Sequence, residues 1–360
     1  MIPAPRKTLP LLTAARFFAS ILNICHHFAQ PIVAGGTSLP SRAAQNLFSN
    51  GWAGVTFFFV LSGYVLTWSV GDKTIDRKAF YWARFARLYP LLFVSLVLDV
   101  PFVVGSDPGA AWWVATKLAV ATFVNFLLLQ AWILPFTIGW NAPSWTLSCE
   151  AFFYALFPTA LECVRNVRQK AGRRAVWAVW LAVALVSAGV TLNTHLRAPE
   201  EIELLGRVPV LNLASFFLGM VLCETRAADL LKGRPLMRTI LIVGPCLSVC
   251  LPPSIASLLR DSGLLSILAG GLIVALAESP ADSLLAAPMR SKPMLILGEA
   301  SYGMYILQSV VFHCAQAATS ERGLTWFLVT TGVLVAVSLV SVTTFEVTAR
   351  RWILRRFVPA

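Results

Sequence analysis

Apolar stretches of about 20 residues recur along the chain, and short polar segments rich in lysine and arginine separate them. A stretch of this length crosses a hydrocarbon core of roughly 30 Å as an α-helix. The pattern therefore predicts an all-α, polytopic membrane protein. We predict eleven apolar segments, at residues 11–32, 52–70, 86–105, 112–134, 145–163, 175–193, 207–223, 238–253, 262–278, 294–317 and 325–347.

The basic residues test this count, because cytoplasmic loops carry an excess of lysine and arginine. Basic clusters occur at Arg6 and Lys7 and at residues 73–87, 165–174, 226–238 and 350–356. We place all of these clusters on the cytoplasmic side, which puts both termini there as well.

Three apolar segments separate the clusters at 73–87 and 165–174, where an even number of crossings is required. One segment within 86–163 is therefore expected to be broken or re-entrant and covered by neighbouring protein. Segment 112–134 is the first candidate, because it contains Lys117 and precedes the stretch LPFTIGWNAPS. The prediction is about ten transmembrane helices with one additional broken or re-entrant segment.

Composition supports a membrane protein and excludes an ordinary soluble domain. Of the 360 residues 57% are hydrophobic and 13% are charged, and the mean hydropathy is +0.72. The net charge of +12 lies in short clusters between apolar runs, which does not favour nucleic acid as a partner. We expect residues 1–360 to form a single membrane domain with no appended soluble domain, and the first apolar run to be retained rather than cleaved as a signal peptide. The seven cysteines have no metal-ligand spacing, and we expect no metal site.

Ionisable residues in the first segment point to function, because they are costly inside a membrane. Arg16 and His27 are 11 positions apart, which at 100° per residue places them on one helix face about 16 Å apart along the axis. Asn23 lies one turn before His27 on that face, whereas His26 points about 100° away. We expect His27 to be the functional histidine and His26 to be structural.

Three further stretches carry candidate chemistry. In GWAGVTFFFVLSGYVL, Ser62 and Gly63 interrupt an aromatic run, which alone is more typical of close helix packing. In FYWARFARLYP, Arg84 and Arg87 share a helix face; they could anchor a helix end in the cytoplasm or bind phosphate through forked hydrogen bonds. In NAPSWTLSCEAFFYALFP, Glu150 lies one turn before Tyr154 and could orient an imidazole or only complement the helix dipole.

A fourth stretch, GEASYGMYILQSVVFH, places Tyr302, Tyr305 and Gln308 in a late span. Tyrosine at a membrane interface is ordinary, so this stretch is weak when taken alone.

Together and in this order, the four stretches resemble the motifs of the acyltransferase 3 family of integral-membrane acyltransferases. Arg16 and His27 match the family's arginine and histidine separated by ten intervening residues, a spacing that passes over His26, and GVTFFFVLSGYVL is similar to the FFxLSG signature. RFARLYP, SWTLSCEAFFYALFP and SYGMYILQ resemble three further elements of the family. The chain departs from the pattern at Thr13 and Thr56, where family members commonly have aspartate, and at Gln308, where they have histidine.

The resemblance implies O-acylation, acetyl by default, with acyl-CoA as a cytoplasmic co-substrate and no permanently bound cofactor. It implies a bacterial cytoplasmic (inner) membrane location among membrane lipid, and a sugar or glycosylated acceptor, as in polysaccharide modification. It assigns His27 as general base supported by Arg16 and Glu150, and Arg84 and Arg87 as ligands of the donor phosphates. The expected substrate-binding residues are Asn23, Ser62, Trp145, Tyr154, Tyr302, Tyr305 and Gln308.

Alternatives remain open at this stage. Arg16, His27 and Glu150 would also suit the proton relay of a transporter or flippase, and a non-catalytic scaffold would need none of them. Direct transfer and an acyl-histidine intermediate are equally compatible with the residues. The acceptor could be a membrane-delivered sugar or a small glycosylated metabolite, and the sequence does not indicate the oligomeric state.

Overall fold

The computed structural model describes residues 9–34, 42–105, 111–133, 140–198, 201–280, 283, 286–320 and 323–358. All regular structure in this part of the chain is helical, which confirms the all-α prediction. The α-helices described are α1 (Pro10–Ala34), α2 (Arg42–Ser49), α3 (Ala53–Val70), α4 (Arg77–Gly105), α5 (Ala111–Phe126), α6 (Trp145–Arg197), α7 (Ile202–Leu205), α8 (Pro209–Glu224), α9 (Pro235–Ser248), α10 (Pro253–Asp261), α11 (Leu264–Ala277), α12 (Ala286–Met289), α13 (Lys292–Ala318), α14 (Leu324–Ser341) and α15 (Val347–Phe357).

Several of these helices are long and apolar enough to cross a membrane, and the chain is a multi-pass membrane protein. Five stretches of the described residues meet this criterion, and α9 with α10 forms a sixth if that pair, bent by 119°, is one span. The apolar helices α8 and α11 are shorter. Ten crossings therefore stay a prediction. So do the cytoplasmic termini, since residues 1–8 and 359–360 lie outside the described part.

Helix α6 merges two of the predicted segments, and a break at Gly172 divides it. Gly172 has φ +81°, a left-handed conformation that glycine adopts without steric cost. Phe153, before the break, stacks on Phe216 of α8, whereas Trp180, after it, donates to the Ala214 carbonyl of the same helix. The chain thus doubles back at Gly172, and both halves pack along α8.

The stretch between α5 and α6 is irregular and buried. Leu128 and Ala131 are shielded from solvent, Ser148 donates from its hydroxyl to the Leu128 carbonyl, and Gln130 donates to the Ser144 carbonyl at 2.8 Å. Non-helical backbone at membrane depth is tolerated where protein covers it and satisfies its polar groups. Helix α5 ends at Phe126, short of the predicted 134.

Helices α1, α4 and α13 run parallel at the centre of the bundle. Ser20 of α1 donates to the Ser301 carbonyl of α13, and Phe28 packs on Phe312 further along the same two helices. Tyr302 of α13 donates to the Leu88 carbonyl of α4 at 2.5 Å, and further along the same two helices His313 contacts Asp99. All three helices therefore point from one end of the bundle to the other.

We call the starting end of these helices the basic end. There Arg165 donates to the Gly71 and Lys73 carbonyls and pairs with Glu224 at 3.0 Å, while Arg168 pairs with Glu224 at 3.4 Å. The opposite end is called the far end.

Two glycine contacts fix how closely helix α3 packs on its neighbours. A Cβ atom on Gly54 would lie 2.6 Å from the Ala19 carbonyl oxygen of α1, and one on Gly63 would overlap the Phe216 carbonyl of α8. Gly63 is therefore a packing residue, as the sequence indicated. Helix α1, which carries Arg16 and His27, lies against the α3 backbone.

Helix α14 passes into α15 through a single π-helical turn, Val342–Glu346. Such turns contain one extra residue and recur at functional sites. The sequence analysis did not predict this turn or the short helices α2, α7, α10 and α12.

Candidate active site

A small cavity of about 40 Å³ gathers predicted site residues from four helices. Arg16 of α1, Arg87 of α4, Glu150 of α6 and Tyr302 of α13 all line it. These side chains lie together because α1, α4 and α13 run parallel, so that residues in the half of each helix nearer the basic end lie at the same level of the bundle. Arg16 and Glu150 thus line the same cavity, and their support of His27 in catalysis stays a prediction.

Tyr154 connects Glu150 to Arg84, the first arginine of the FYWARFARLYP stretch. Its hydroxyl donates to Glu150 Oε2 at 2.7 Å and also lies in hydrogen-bonding contact with Ser62. The Arg84 guanidinium lies 5.7 Å from the centre of the Tyr154 ring and the same distance from Phe80. Arg84 Nε has no hydrogen-bond partner among the described residues, so this guanidinium keeps an N–H for an anion.

Glu346 is a cluster residue that sequence analysis missed. The π-helical turn presents it to the bundle, where Ser341 donates to its Oε1 at 2.9 Å and Arg87 and Arg16 interact with it electrostatically. A lone carboxylate in the apolar segment 325–347 was the available signal. We call Arg16, Arg84 and Arg87 the arginine cluster; Glu150 and Glu346 interact with it electrostatically, and Glu299 also interacts with Arg16.

His27 lies further toward the far end, between two larger cavities, and its side chain is exposed to them. The first cavity has a volume of about 510 Å³ and the second about 600 Å³. Arg16 and His27 therefore share a helix face but line different cavities. Tyr305 and Val55 line both the small cavity and the first cavity, and Tyr305, the polar residue of the two, links the arginine cluster to His27.

His26 and His27 both line the first cavity, so the prediction that the two cannot face one site is wrong: this cavity is wide enough to reach two positions 100° apart on the helix. His26 Nδ1 lies 3.0 Å from the Ser49 carbonyl at the end of α2 and donates to it. That bond fixes α2 to α1. His27 is the histidine that reaches both cavities.

Asn23 and Gln308 form a bridge between α1 and α13. Gln308 Nε2 donates to Asn23 Oδ1 at 3.3 Å and to the Tyr305 carbonyl at 2.7 Å, and Tyr305 donates to the Pro143 carbonyl at 3.1 Å. Asn23 lines the first cavity and Gln308 the second. The glutamine at this position thus joins two helices beside His27.

The first cavity combines aromatic rings with charged groups. Trp145 lines it together with Trp52, over which the Arg260 guanidinium stacks at 4.9 Å. Arg207, which also lines it, pairs with Glu203 at 2.7 Å. Sequence analysis named only Trp145 of this set, because the others come from separate loops and short helices. No group of His, Cys, Asp and Glu side chains suited to a metal ion occurs in the described residues.

Comparisons with known proteins match the chain to a known class of enzyme. The sequence model of one family, described as an acyltransferase domain, matches residues 10–346. The chain is 28% identical over 321 residues to the acyltransferase MdmB of Streptomyces mycarofaciens, covering 84% of this chain and 79% of MdmB. No solved structure matches the chain.

Two further relatives are matched over smaller shares of their own length. The chain is 25% identical over 345 residues to the peptidoglycan O-acetyltransferase OatA of Listeria monocytogenes, covering 84% of this chain and 49% of OatA. It thus spans about half the length of OatA. "Protein 2 in picA locus" of Rhizobium radiobacter is 33% identical over 146 residues, or 32% of this chain and 71% of that protein.

Proposed function

Because the chain belongs to the acyltransferase 3 family and is an acyl-transferring enzyme, we propose that it is an O-acyltransferase of the bacterial cytoplasmic membrane. It moves an acyl group, acetyl by default, from cytoplasmic acyl-CoA to a hydroxyl of a sugar or glycosylated acceptor. The observation that carries this proposal is the link through Tyr305 between the arginine cluster and His27.

The arginine cluster supports acyl-CoA as the donor. Guanidinium groups bind phosphate oxygens through forked, charge-assisted hydrogen bonds. Arg84 keeps an unpartnered N–H, and Arg16 and Arg87 line the small cavity beside it. In this proposal the phosphates of coenzyme A bind at the basic end, and the thioester extends past Tyr305 toward His27.

His27 is the general base of the proposed reaction. A hydroxyl is a weak nucleophile near neutral pH, and a neutral imidazole within hydrogen-bond reach takes its proton as it attacks the thioester carbonyl. The C–S bond then breaks, and the departing thiolate takes up a proton to leave as coenzyme A. Arg16 and Glu150, which line the small cavity, stabilise electrostatically the charges that form on His27 and the thioester during this step.

The relatives guide the choice of acceptor. OatA is named for the O-acetylation of peptidoglycan, which is a glycan, and both large cavities beside His27 combine aromatic and polar groups as a sugar site does. We therefore favour a sugar hydroxyl, either membrane-delivered or on a small glycosylated metabolite.

The experiment that tests the base is acyl transfer by membranes containing the protein. Labelled acetyl-CoA and longer acyl-CoAs are incubated with sugar and glycosylated acceptors, and coenzyme A release is compared for wild type and His27→Ala. His195→Ala is the matched control, because His195 is exposed at the end of α6. We expect His27→Ala to lose about 10²- to 10⁴-fold in acceptor-dependent rate. Equal release by wild type and His27→Ala across all acceptors would contradict the assignment.

A separate variant tests the donor site. Arg84→Gln should raise the KM for acetyl-CoA about 10- to 100-fold, because it removes a charge-assisted hydrogen bond, and leave the acceptor KM unchanged. An unchanged acetyl-CoA KM would remove Arg84 from the donor site.

The order of the chemical steps has its own test. Labelled acetyl-CoA without acceptor should leave no label on the washed protein if transfer is direct. Recovery of a labelled acyl-enzyme would establish an acyl-histidine route instead.

A further inference from the structure

A histidine and an aspartate outside the arginine cluster form a close pair at the far end. His313 Nδ1 of α13 lies 2.6 Å from Asp99 Oδ1 of α4. The Asp99 side chain is 0% exposed, whereas that of His313 is 31% exposed. An ionised carboxylate can only accept, so Nδ1–H donates to it, and in the neutral imidazole Nε2 is then left as a hydrogen-bond acceptor.

The exposed edge of His313 faces the second cavity, which His27 also lines. That cavity holds further polar groups from α13, Gln308 and Ser309 among them, and aromatic rings including Phe28 and Trp140. Its volume of about 600 Å³ is within the usual range for a small-molecule site. Aromatic faces and neutral polar groups with two imidazoles suit a polyhydroxylated ligand better than an anion.

Two observations indicate that this pair does more than hold α4 and α13 together. The ring of His313 is flanked by Phe102, with centroids 5.4 Å apart, and still opens into the cavity. Gln308 lines the same cavity and is 1% exposed, yet its Oε1 has no hydrogen-bond partner among the described residues. A buried, unpartnered acceptor is costly unless a ligand donates to it.

We propose that Asp99 and His313 form a hydroxyl-recognition site that selects acceptors with at least two hydroxyl groups. One hydroxyl of the acceptor donates to His313 Nε2, and another lies at His27, where it is acylated. Asp99 is a positioning residue, since it fixes the tautomer and orientation of the imidazole. Gln308 Oε1 accepts a further hydroxyl of the same ligand. This inference rests on the proposed acyl transfer and adds the site that holds the acceptor in register.

The test uses acetyl-CoA with methyl α-D-glucopyranoside or methyl N-acetyl-β-D-glucosaminide, whichever the wild type acetylates faster, and the monodeoxy derivatives of that glycoside. The key variant is His313→Asn. The Asn Nδ2 atom stands close to the position of His Nδ1 and keeps the bond to Asp99, while the Nε2 acceptor is lost. Its thermal unfolding temperature should therefore match that of the matched control His195→Asn.

We expect His313→Asn to lower kcat/KM for the parent glycoside about 10- to 100-fold, as loss of one polarised hydrogen bond does. One monodeoxy derivative should show the same loss with the wild-type enzyme and no further loss with the variant, the non-additivity that marks direct contact. Asp99→Asn should raise the KM for the glycoside and leave the KM for acetyl-CoA unchanged, a split that general unfolding would not produce.

The inference is overturned if His313→Asn acylates the parent glycoside as fast as the wild type does. It is also overturned if, for every monodeoxy derivative, the fold-loss in kcat/KM from the variant and that from the missing hydroxyl multiply as independent effects. It also fails if the wild type acetylates neither glycoside. If in addition no acceptor at all triggers coenzyme A release, the proposed function itself fails, which keeps the two results distinct.

Discussion

Gly54→Ala should slow acyl transfer by moving helix α1 as a body. The new Cβ would lie 2.6 Å from the Ala19 carbonyl oxygen, whereas ordinary contact begins at 3.4 Å, so α1 and α3 must separate by the difference, 0.8 Å. Arg16 and His27 both lie on α1. A misplacement of about 1 Å in a catalytic group costs on the order of 10²-fold in rate. We therefore expect kcat to fall about 10- to 100-fold.

Stability should change much less than the rate. Overpacking costs about 1–3 kcal/mol, and replacing glycine by alanine in a helix returns up to about 1 kcal/mol. The net loss of about 0–3 kcal/mol leaves a folded protein. Intrinsic tryptophan fluorescence during heating in detergent measures the unfolding temperature, and acceptor-dependent thiol release from acetyl-CoA measures kcat.

Gly332→Ala is the matched control for this change. Gly332 lies within α14, and a Cβ there meets nothing within 4 Å. Its kcat should equal that of the wild type. The reasoning is refuted if Gly54→Ala keeps wild-type kcat in a folded protein, or if Gly332→Ala loses as much.

The remaining predictions concern two ion pairs and one hydrogen bond. Glu224→Gln leaves Arg165 without its buried carboxylate partner and should destabilise the protein by about 3 kcal/mol. Glu162→Gln breaks an exposed ion pair with Arg77 and should cost under about 1 kcal/mol. Equal unfolding temperatures for the two variants would contradict this prediction. Tyr154→Phe removes the 2.7 Å bond to Glu150 and should lower kcat about 10-fold, measured as acetyl transfer at saturating donor. Wild-type kcat in Tyr154→Phe would remove the tyrosine from the donor side of the site.

The apolar segments were predictable because length and hydropathy alone identify them. Their ends were less so. Helix α4 begins at Arg77, nine residues before the predicted start at 86, because the helix continues beyond its apolar stretch into the basic cluster. Residues 164–174, predicted as a loop, are helical except at Gly172, because this one glycine is enough to reverse the direction of α6. Hydropathy reports the surroundings of a residue and not the hydrogen bonds of its backbone.

The candidate site was predictable where its residues lie on one helix. Arg16, Asn23 and His27 follow from helical geometry, and the separation of His26 from His27 follows from the same angle. The pair of Asp99 and His313 could not be derived in this way, because it depends on α4 and α13 running parallel and in register. Ionisable residues within apolar segments were the available signal, and identifying their partners required the tertiary structure.

The π-helical turn at Val342–Glu346 makes the number of residues here matter as much as their identity. An α-helix advances 100° per residue, so removing one residue from this turn would rotate everything after it by about 100° relative to α14. Glu346 would leave the arginine cluster and Arg350 would turn with it. Substitutions at the exposed Thr343 should therefore be tolerated, while deletion of that same residue should abolish activity. The number of residues in this turn decides which side chain faces the arginine cluster. A homologous enzyme with one residue fewer here should therefore place a different carboxylate beside its arginines.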